Sequence, residues 1–213
     1  MIDRRQRLNT AALYLVCDDR PDEFLESALR GGVDIVQLRC KAADDRTLLA
    51  AARRFKAVCA RRGALFIVND RPDVAVAADA DGVHVGQDDM AVDGARAVVG
   101  PDRLVGLSTH SPAQVDAAPD AVDYIGVGPV QETPTKPGRP AVGLELVRYA
   151  ASATSKPFFA IGGISPENID AVRRAGATRV AVVRALTDAA DPSAVATALR
   201  RALAGAKGSV AAA

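Results

Sequence analysis

Short β-rich apolar runs alternate with longer helical patterns along this chain. The runs are ALYLVC (12–17), VDIVQLR (33–39), ALFIVN (64–69), GVHVG (82–86), RLVGLS (103–108), DYIGVG (123–128), PFFAIG (157–162) and RVAVVR (179–184). Most of the segments between and after them carry apolar residues at i, i+3 and i+4, clearest in Leu48, Leu49, Ala52, Phe55 and Val58. Strict alternation requires a parallel sheet with right-handed crossovers. Eight such units predict a single α/β domain, a (β/α)8 TIM barrel with short loops. The expected boundaries are an N-terminal tail over 1–10, the barrel over 11–204 and a C-terminal tail over 205–213. A doubly wound open sheet is the rival, but its dinucleotide fingerprint is missing. The GVG at 126–128 is followed by PVQETPTK, not by a helix with a third glycine.

Charge narrows what such a barrel can bind. Lys plus Arg (27) nearly cancel Asp plus Glu (26), so no global field draws nucleic acid or acidic lipid. Anions must be held by locally placed groups, and small molecules are the expected partners; a homo-oligomer stays open. Three cysteines without CxxC spacing fit neither a disulfide framework nor a zinc site, and read as reduced thiols in a cytoplasmic protein. The start MIDRRQRLNTAALYLVCDDR reads as a polar tail and a strand rather than a signal peptide, and no run reaches transmembrane length.

Within this frame, IVNDRPDVAVAADADGVHVGQDDM (67–90) puts Asp70 after the third strand and Asp88 and Asp89 after the fourth. Neighbouring parallel strands lie about 4.8 Å apart, and their C-terminal ends open onto the face where barrels of this kind place their sites. The acids must therefore approach one another. Protonation of one, a basic partner, or a divalent cation would relieve the repulsion. Magnesium is the expected answer, because it keeps several waters and shares its remaining positions with phosphate. Helix capping by Asn69, Asp70 or the Asp pair is the competing structural explanation.

Three further segments reach the same face. In VQLRCK, residues two apart share a side of the strand, so Gln37, Arg39 and Lys41 point one way and Leu38 and Cys40 the other. A polar row ending in two cations suits a diphosphate attached to a polar ring. The loop GPVQETPTKPGRPAVG is the longest, and its threonines and Lys136 are sensible phosphate ligands. In AIGGISPEN, Gly162 and Gly163 close the seventh strand, and Ser165-Pro166 predict a helix start aimed at an anion. His84 reads as a core histidine, whereas His110 can reach the mouth. No Gly-x-Ser-x-Gly elbow is present.

Together LYLVCDD, VQLRCK, IVNDRPDVAVAADADGVHVGQDDM, GLSTH, DYIGVGPV with TPTK, AIGGISPENI and VAVVRAL resemble the thiamine-phosphate synthase family over nearly all of the chain except its tails. The resemblance implies a (β/α)8 transferase of thiamine biosynthesis. It would condense 4-amino-2-methyl-5-(diphosphooxymethyl)pyrimidine with a thiazole phosphate, releasing diphosphate by a magnesium-assisted, dissociative displacement. It further implies that Gln37, Arg39, Lys41, Asn69, Ser108 and Lys136 bind the pyrimidine diphosphate, with Arg39, Ser108 and Lys136 catalytic. Asp70 and Asp89 would hold Mg2+. Thr133, Thr135, Gly162 and the end of strand eight, Val183 and Arg184, would hold the thiazole phosphate. Two positions depart from the family pattern: Cys40 stands where an acid is usual, and Arg184 where a serine is common. A thiazole tautomerase-like barrel and a non-catalytic phosphate-ligand sensor are the alternatives.

Overall fold

The computed structural model describes residues 3–132 and 141–205. Eight strands close into an all-parallel barrel in sequence order: β1 Leu13–Cys17, β2 Ile35–Leu38, β3 Leu65–Asn69, β4 Gly82–Val85, β5 Leu104–Thr109, β6 Tyr124–Val127, β7 Phe158–Ile161 and β8 Val180–Val182. The closing pair, β1 with β8, sets Leu13 against Val180 and Leu15 against Val182. The (β/α)8 expectation holds, with strand limits within two residues of those read from the apolar runs.

Helices α1 Arg4–Thr10, α2 Asp22–Arg30, α3 Asp45–Arg62, α4 Pro72–Ala77, α5 Val92–Val99, α6 Pro112–Asp116, α7 Gly143–Ala153, α8 Ile169–Arg174, α9 Arg184–Thr187 and α10 Pro192–Ala204 accompany the strands. Their starts follow local chemistry. Asp44 caps α3 by accepting the Thr47 N–H at 2.9 Å, and Asp191 caps α10 through Ala194 N–H at 3.1 Å. Pro72, Pro112 and Pro192 occupy first helical turns, where no N–H is needed.

Two apolar layers result from the period of two in the strands. Outward residues such as Leu15, Val36, Val68, Val83 and Val105 meet the helices, including Phe55 and Val58 of α3. Inward residues Tyr14, Val16, Ile35, Leu65, Ile67, Leu104, Tyr124 and Phe159 fill the barrel itself.

The N-terminal end of the barrel is built around aspartates. One precedes every second strand from β2 to β6, and each clamps the start of the strand before it. Asp34 accepts from Ala12 and Leu13 N–H at 2.8 and 2.9 Å, Asp81 from Phe66 N–H at 2.9 Å, and Asp123 from Val105 N–H at 2.8 Å. Each also takes a cation: Arg200 on Asp34, Arg4 and Lys56 on Asp81, Arg5 and Arg96 on Asp123.

This arrangement corrects the reading of residues 1–10 as a tail. Residues 4–10 form α1, whose Leu8 drops into the barrel's lower end at 2% exposure, joined there by Ala11. Arg4 and Arg5 latch the helix to Asp81 and Asp123. Nothing in a polar heptapeptide with one apolar anchor reveals such a helix, because its stability is tertiary. The C-terminal stretch 206–213 lies outside the described residues.

Candidate active site

A cavity of about 390 Å³ opens at the C-terminal ends of the strands. Gln37, Arg39, Lys41, Asn69, Asp70, Asp89, Ser108, Gly162, Val183 and Arg184 all line it. Thr133, Thr135 and Lys136 lie outside the described residues.

The row on β2 points as its alternation requires. Gln37 is buried in the barrel, and Arg39, just past the strand, is held by its N–H to the Cys17 carbonyl at 2.8 Å. Cys40 faces the other way and packs on the layer between sheet and helices, where burial pushes its thiol pKa up. Its departure from the family pattern therefore leaves the cavity row unchanged.

The acids do converge. Asp70 adopts φ +61, a left-handed conformation that asparagine and aspartate tolerate better than other side chains, and its N–H bonds to the His84 carbonyl at 2.8 Å. This turn ends β3 and carries the carboxyl to the mouth. Arg71 turns away, pairing at 2.6 Å with both Asp45 and Asp73. Asp89 is fixed through Oδ2, which accepts the Gly86 N–H at 2.9 Å. The Asp70 carboxyl lies within hydrogen-bonding reach of Asp89, and its pKa is raised, first by burial and then by that neighbour. Lys41 opposes the shift, with Nζ 3.1 Å from Asp70 Oδ2. The repulsion is thus met in part by a basic partner, and Lys41 spans the cation row and the acid pair.

The glycines after β7 permit a close approach of backbone to backbone. A Cβ on Gly162 would meet Pro129 Cα at 2.6 Å, and one on Gly163 would meet Gln131 Cβ at 2.8 Å. They let the segment after β6 lie against β7, joined by Val130 N–H to Ile161 O and Gln131 N–H to Gly162 O. The helix expected from Pro166 does not begin there. The Ser165 carbonyl accepts from both Asn168 and Ile169, Asn168 Oδ1 takes the Ser165 N–H, and α8 starts only at Ile169. The helix start on the cavity is instead the short α9, with Arg184 as its first residue. A four-residue helix is too short to show a period, so sequence reading ran the eighth strand through to 184.

Sequence reading also set aside His84. It faces into the barrel, with Nε2 2.9 Å from Ser108 Oγ and Nδ1 3.2 Å from Tyr124 Oη. Tyr14, Tyr124, Phe159 and Gln37 complete the floor. Parity along GVHVG carried the signal, since Gly82, His84 and Gly86 share one face. His110 sits at the mouth, where its Nδ1 meets the Gly128 carbonyl.

Residues 13–186, from the first residue of β1 into α9, match the family described as thiamine monophosphate synthase. The chain belongs to that family. A thiamine-phosphate synthase of Saccharopolyspora erythraea is 53% identical over 210 residues, 92% of this chain and 94% of its own length. One from Thermosynechococcus vestitus is 51% identical over 94% of this chain, which spans only 58% of that longer protein. Thiamine phosphate pyrophosphorylase from Pyrococcus furiosus superposes with a TM-score of 0.85 at 32% identity, covering 96% of this chain and 99% of that one. The family match takes in every described residue of the cation row and the acid pair.

Gly86 offers a test of that pair. A Cβ there would stand 2.6 Å from Asp89 Oδ2, so Gly86→Ala must displace the carboxylate that the Gly86 N–H holds. The expected result is a loss of roughly tenfold in turnover, on the scale of one charge-assisted hydrogen bond, with unchanged circular dichroism. Wild-type turnover would show that the Asp89 position is not critical.

Proposed function

We propose that the chain is a thiamine-phosphate synthase. It transfers the pyrimidinylmethyl group of 4-amino-2-methyl-5-(diphosphooxymethyl)pyrimidine to the nitrogen of a thiazole phosphate. The C–O bond to diphosphate breaks, the leaving group keeps the electron pair, and a C–N bond forms. The observation that carries this reading is the sharing of one cavity by a cation row, a carboxylate pair and a floor of aromatic and hydrogen-bonding groups. Such a site binds a diphosphate and a heteroaromatic ring side by side.

The electron-rich aminopyrimidine stabilises positive charge on its methylene carbon, so the protein needs no nucleophile of its own. Arg39 and Lys41 take up charge developing on the diphosphate, with Lys136 as a third cation. Gln37, Asn69 and Ser108 hold the ring so that the methylene faces the incoming nitrogen. Gly162, Val183, Arg184, Thr133 and Thr135 hold the thiazole phosphate. Arg184 supplies a guanidinium where the family commonly has a serine hydroxyl, and keeps the site cationic.

Asp70 and Asp89 suit magnesium: both are hard oxygen donors, and both line the cavity beside the cation row. A magnesium ion bound there would add positive charge beside the departing diphosphate. Among the described residues no helix is long and apolar enough to cross a membrane. With free cysteines and small-molecule substrates, the proposed setting is the cytoplasm.

A diphosphate-release assay tests the reading. Release is expected only with both substrates together and is expected to rise with added magnesium. Turnover of the thiazole alone would favour a tautomerase. Calorimetric binding without release would favour a sensor.

A further inference from the structure

The floor of the cavity holds a hydrogen-bond chain that joins Gln37 to Ser108 through Tyr14, Tyr124 and His84, three residues given no role above. Gln37 Nε2 donates to Tyr14 Oη at 2.6 Å, Tyr14 Oη lies 2.9 Å from Tyr124 Oη, Tyr124 Oη lies 3.2 Å from His84 Nδ1, and His84 Nε2 lies 2.9 Å from Ser108 Oγ. Gln37, Tyr14, Tyr124 and Ser108 are all buried, and only Gly106 lets the ring of Tyr124 meet that of His84. A Cβ on Gly106 would stand 2.2 Å from Tyr124 Cζ and 2.5 Å from His84 Nδ1. Tyr14, Tyr124 and Phe159 lock one another edge to face, with centroids 5.2 to 6.0 Å apart.

Each hydroxyl has one proton to donate and two lone pairs that accept, so a chain with every link satisfied runs in one direction. At 2.9 Å either phenol can be the donor; with Tyr14 accepting from Gln37, the order that satisfies every link has Tyr14 donating to Tyr124 and Tyr124 donating to His84 Nδ1. The neutral imidazole then carries its proton on Nε2 and donates to Ser108. The Ser108 proton is left for the cavity, and the Gln37 amide keeps its oxygen as an acceptor. Burial raises the pKa of both phenols, which keeps each proton in place.

We propose that Gln37, Tyr14, Tyr124, His84 and Ser108 form one polarised chain across the barrel floor. In it His84 is a positioning residue that makes Ser108 a donor while Gln37 remains an acceptor, so the floor selects an aminopyrimidine over its 4-oxo counterpart. This rests on the reading of the site as one for a pyrimidine diphosphate. An amino group beside a ring nitrogen presents a donor and an acceptor, which matches the two ends. The 4-oxo ring, with a carbonyl beside a ring N–H, presents the reverse. To accept it in the same pose, the Gln37 amide must turn over, both phenol protons must swing, and the imidazole proton must change nitrogen. Otherwise buried polar groups are left mismatched, which is the strongest form of discrimination available to a polar pocket.

Two measurements test this. Nitrogen NMR of the ligand-free protein labelled at histidine reads the His84 tautomer without any substrate, with His84→Gln assigning the resonance. The Nε2–H form is expected, and the Nδ1–H form would overturn the chain's direction. Diphosphate release is then compared for the 4-amino and 4-oxo pyrimidine diphosphates in wild type, Tyr14→Phe and Tyr124→Phe. Wild type is expected to favour the amino ring. Tyr14→Phe, three links from Ser108, is expected to cut that preference about tenfold, the scale of one lost hydrogen bond, and to mix the His84 tautomers. Equal use of both rings by wild type, or an unchanged preference in Tyr14→Phe, would overturn the proposal. If wild type releases no diphosphate from either ring, the proposed function fails, while the tautomer still decides the chain.

Discussion

Asp70→Asn is expected to lower turnover at least ~10²-fold, the scale of one preorganised electrostatic group, while raising the melting temperature at pH 7. The two effects share a cause. Burial and the neighbouring Asp89 raise the Asp70 pKa, so the folded protein favours the protonated carboxyl and the ionised form costs folding free energy. The sign follows from that direction. The contribution of Asp70 to stability is present in full at low pH and is lost as pH rises through the raised folded value. Asparagine does not ionise, so its advantage appears above that value and disappears as pH falls below the unfolded carboxylate range. Lys41, which pairs with Asp70 at 3.1 Å, is more than half exposed and can return to water when the charge is removed. Calorimetry at pH 7 and pH 4 reads the difference. Added magnesium chloride is expected to raise the wild-type melting temperature by mass action and to leave the variant unmoved. A variant within tenfold of wild-type turnover would show that the ionised Asp70 carboxyl is not needed for turnover, and one no more stable than wild type at pH 7 that it is not costly to the fold. Activity gained at the cost of local stability is what a charged, partly buried site is expected to show.

The barrel and the cation row were legible in the sequence for one reason: β-rich apolar runs and two-residue alternation are local properties. ALFIVN forms β3 over Leu65–Asn69, and VQLRCK places Gln37, Arg39 and Lys41 on the cavity side and Cys40 on the other. Features that depend on distant partners were not legible. Helix α1 exists because Arg4 and Arg5 meet Asp81 and Asp123, each more than seventy residues away. The start of α8 is decided by Asn168, whose amide also donates to the Gly163 carbonyl at 2.7 Å. His84 is the instructive case. Its parity puts it inside the barrel between two glycines, yet its chemistry comes from Tyr124 and Ser108 on other strands. The pairing of Lys41 with Asp70 likewise joins two motifs that read separately as an anion site and a metal site.

At the opposite end of the barrel, Asp81→Ala is expected to cost about 3 kcal/mol of folding free energy, because removing one partner of a buried ion pair leaves the others uncompensated. Asp81 is 4% exposed and holds three donors: the Phe66 N–H at 2.9 Å, and Arg4 Nε and Lys56 Nζ at 3.1 Å each. Without the carboxylate, β3 loses its clamp and α1 loses one of its latches. For a chain of this size the loss corresponds to a melting temperature lower by ~6–12 °C. Asp81→Asn keeps an acceptor for the Phe66 N–H and is expected to lie between wild type and the alanine variant. Asp73→Ala, which removes an exposed partner of Arg71, is expected to change stability by less than ~1 kcal/mol. Urea unfolding of the four proteins measures the series. Turnover below the transition is expected to stay within about twofold of wild type in all three variants, since barrels of this kind separate a stabilising face from a reacting one. An Asp81→Ala protein as stable as wild type would mean that Arg4 and Lys56 find equal partners elsewhere. The clamp would then be a consequence of barrel closure and not one of its causes.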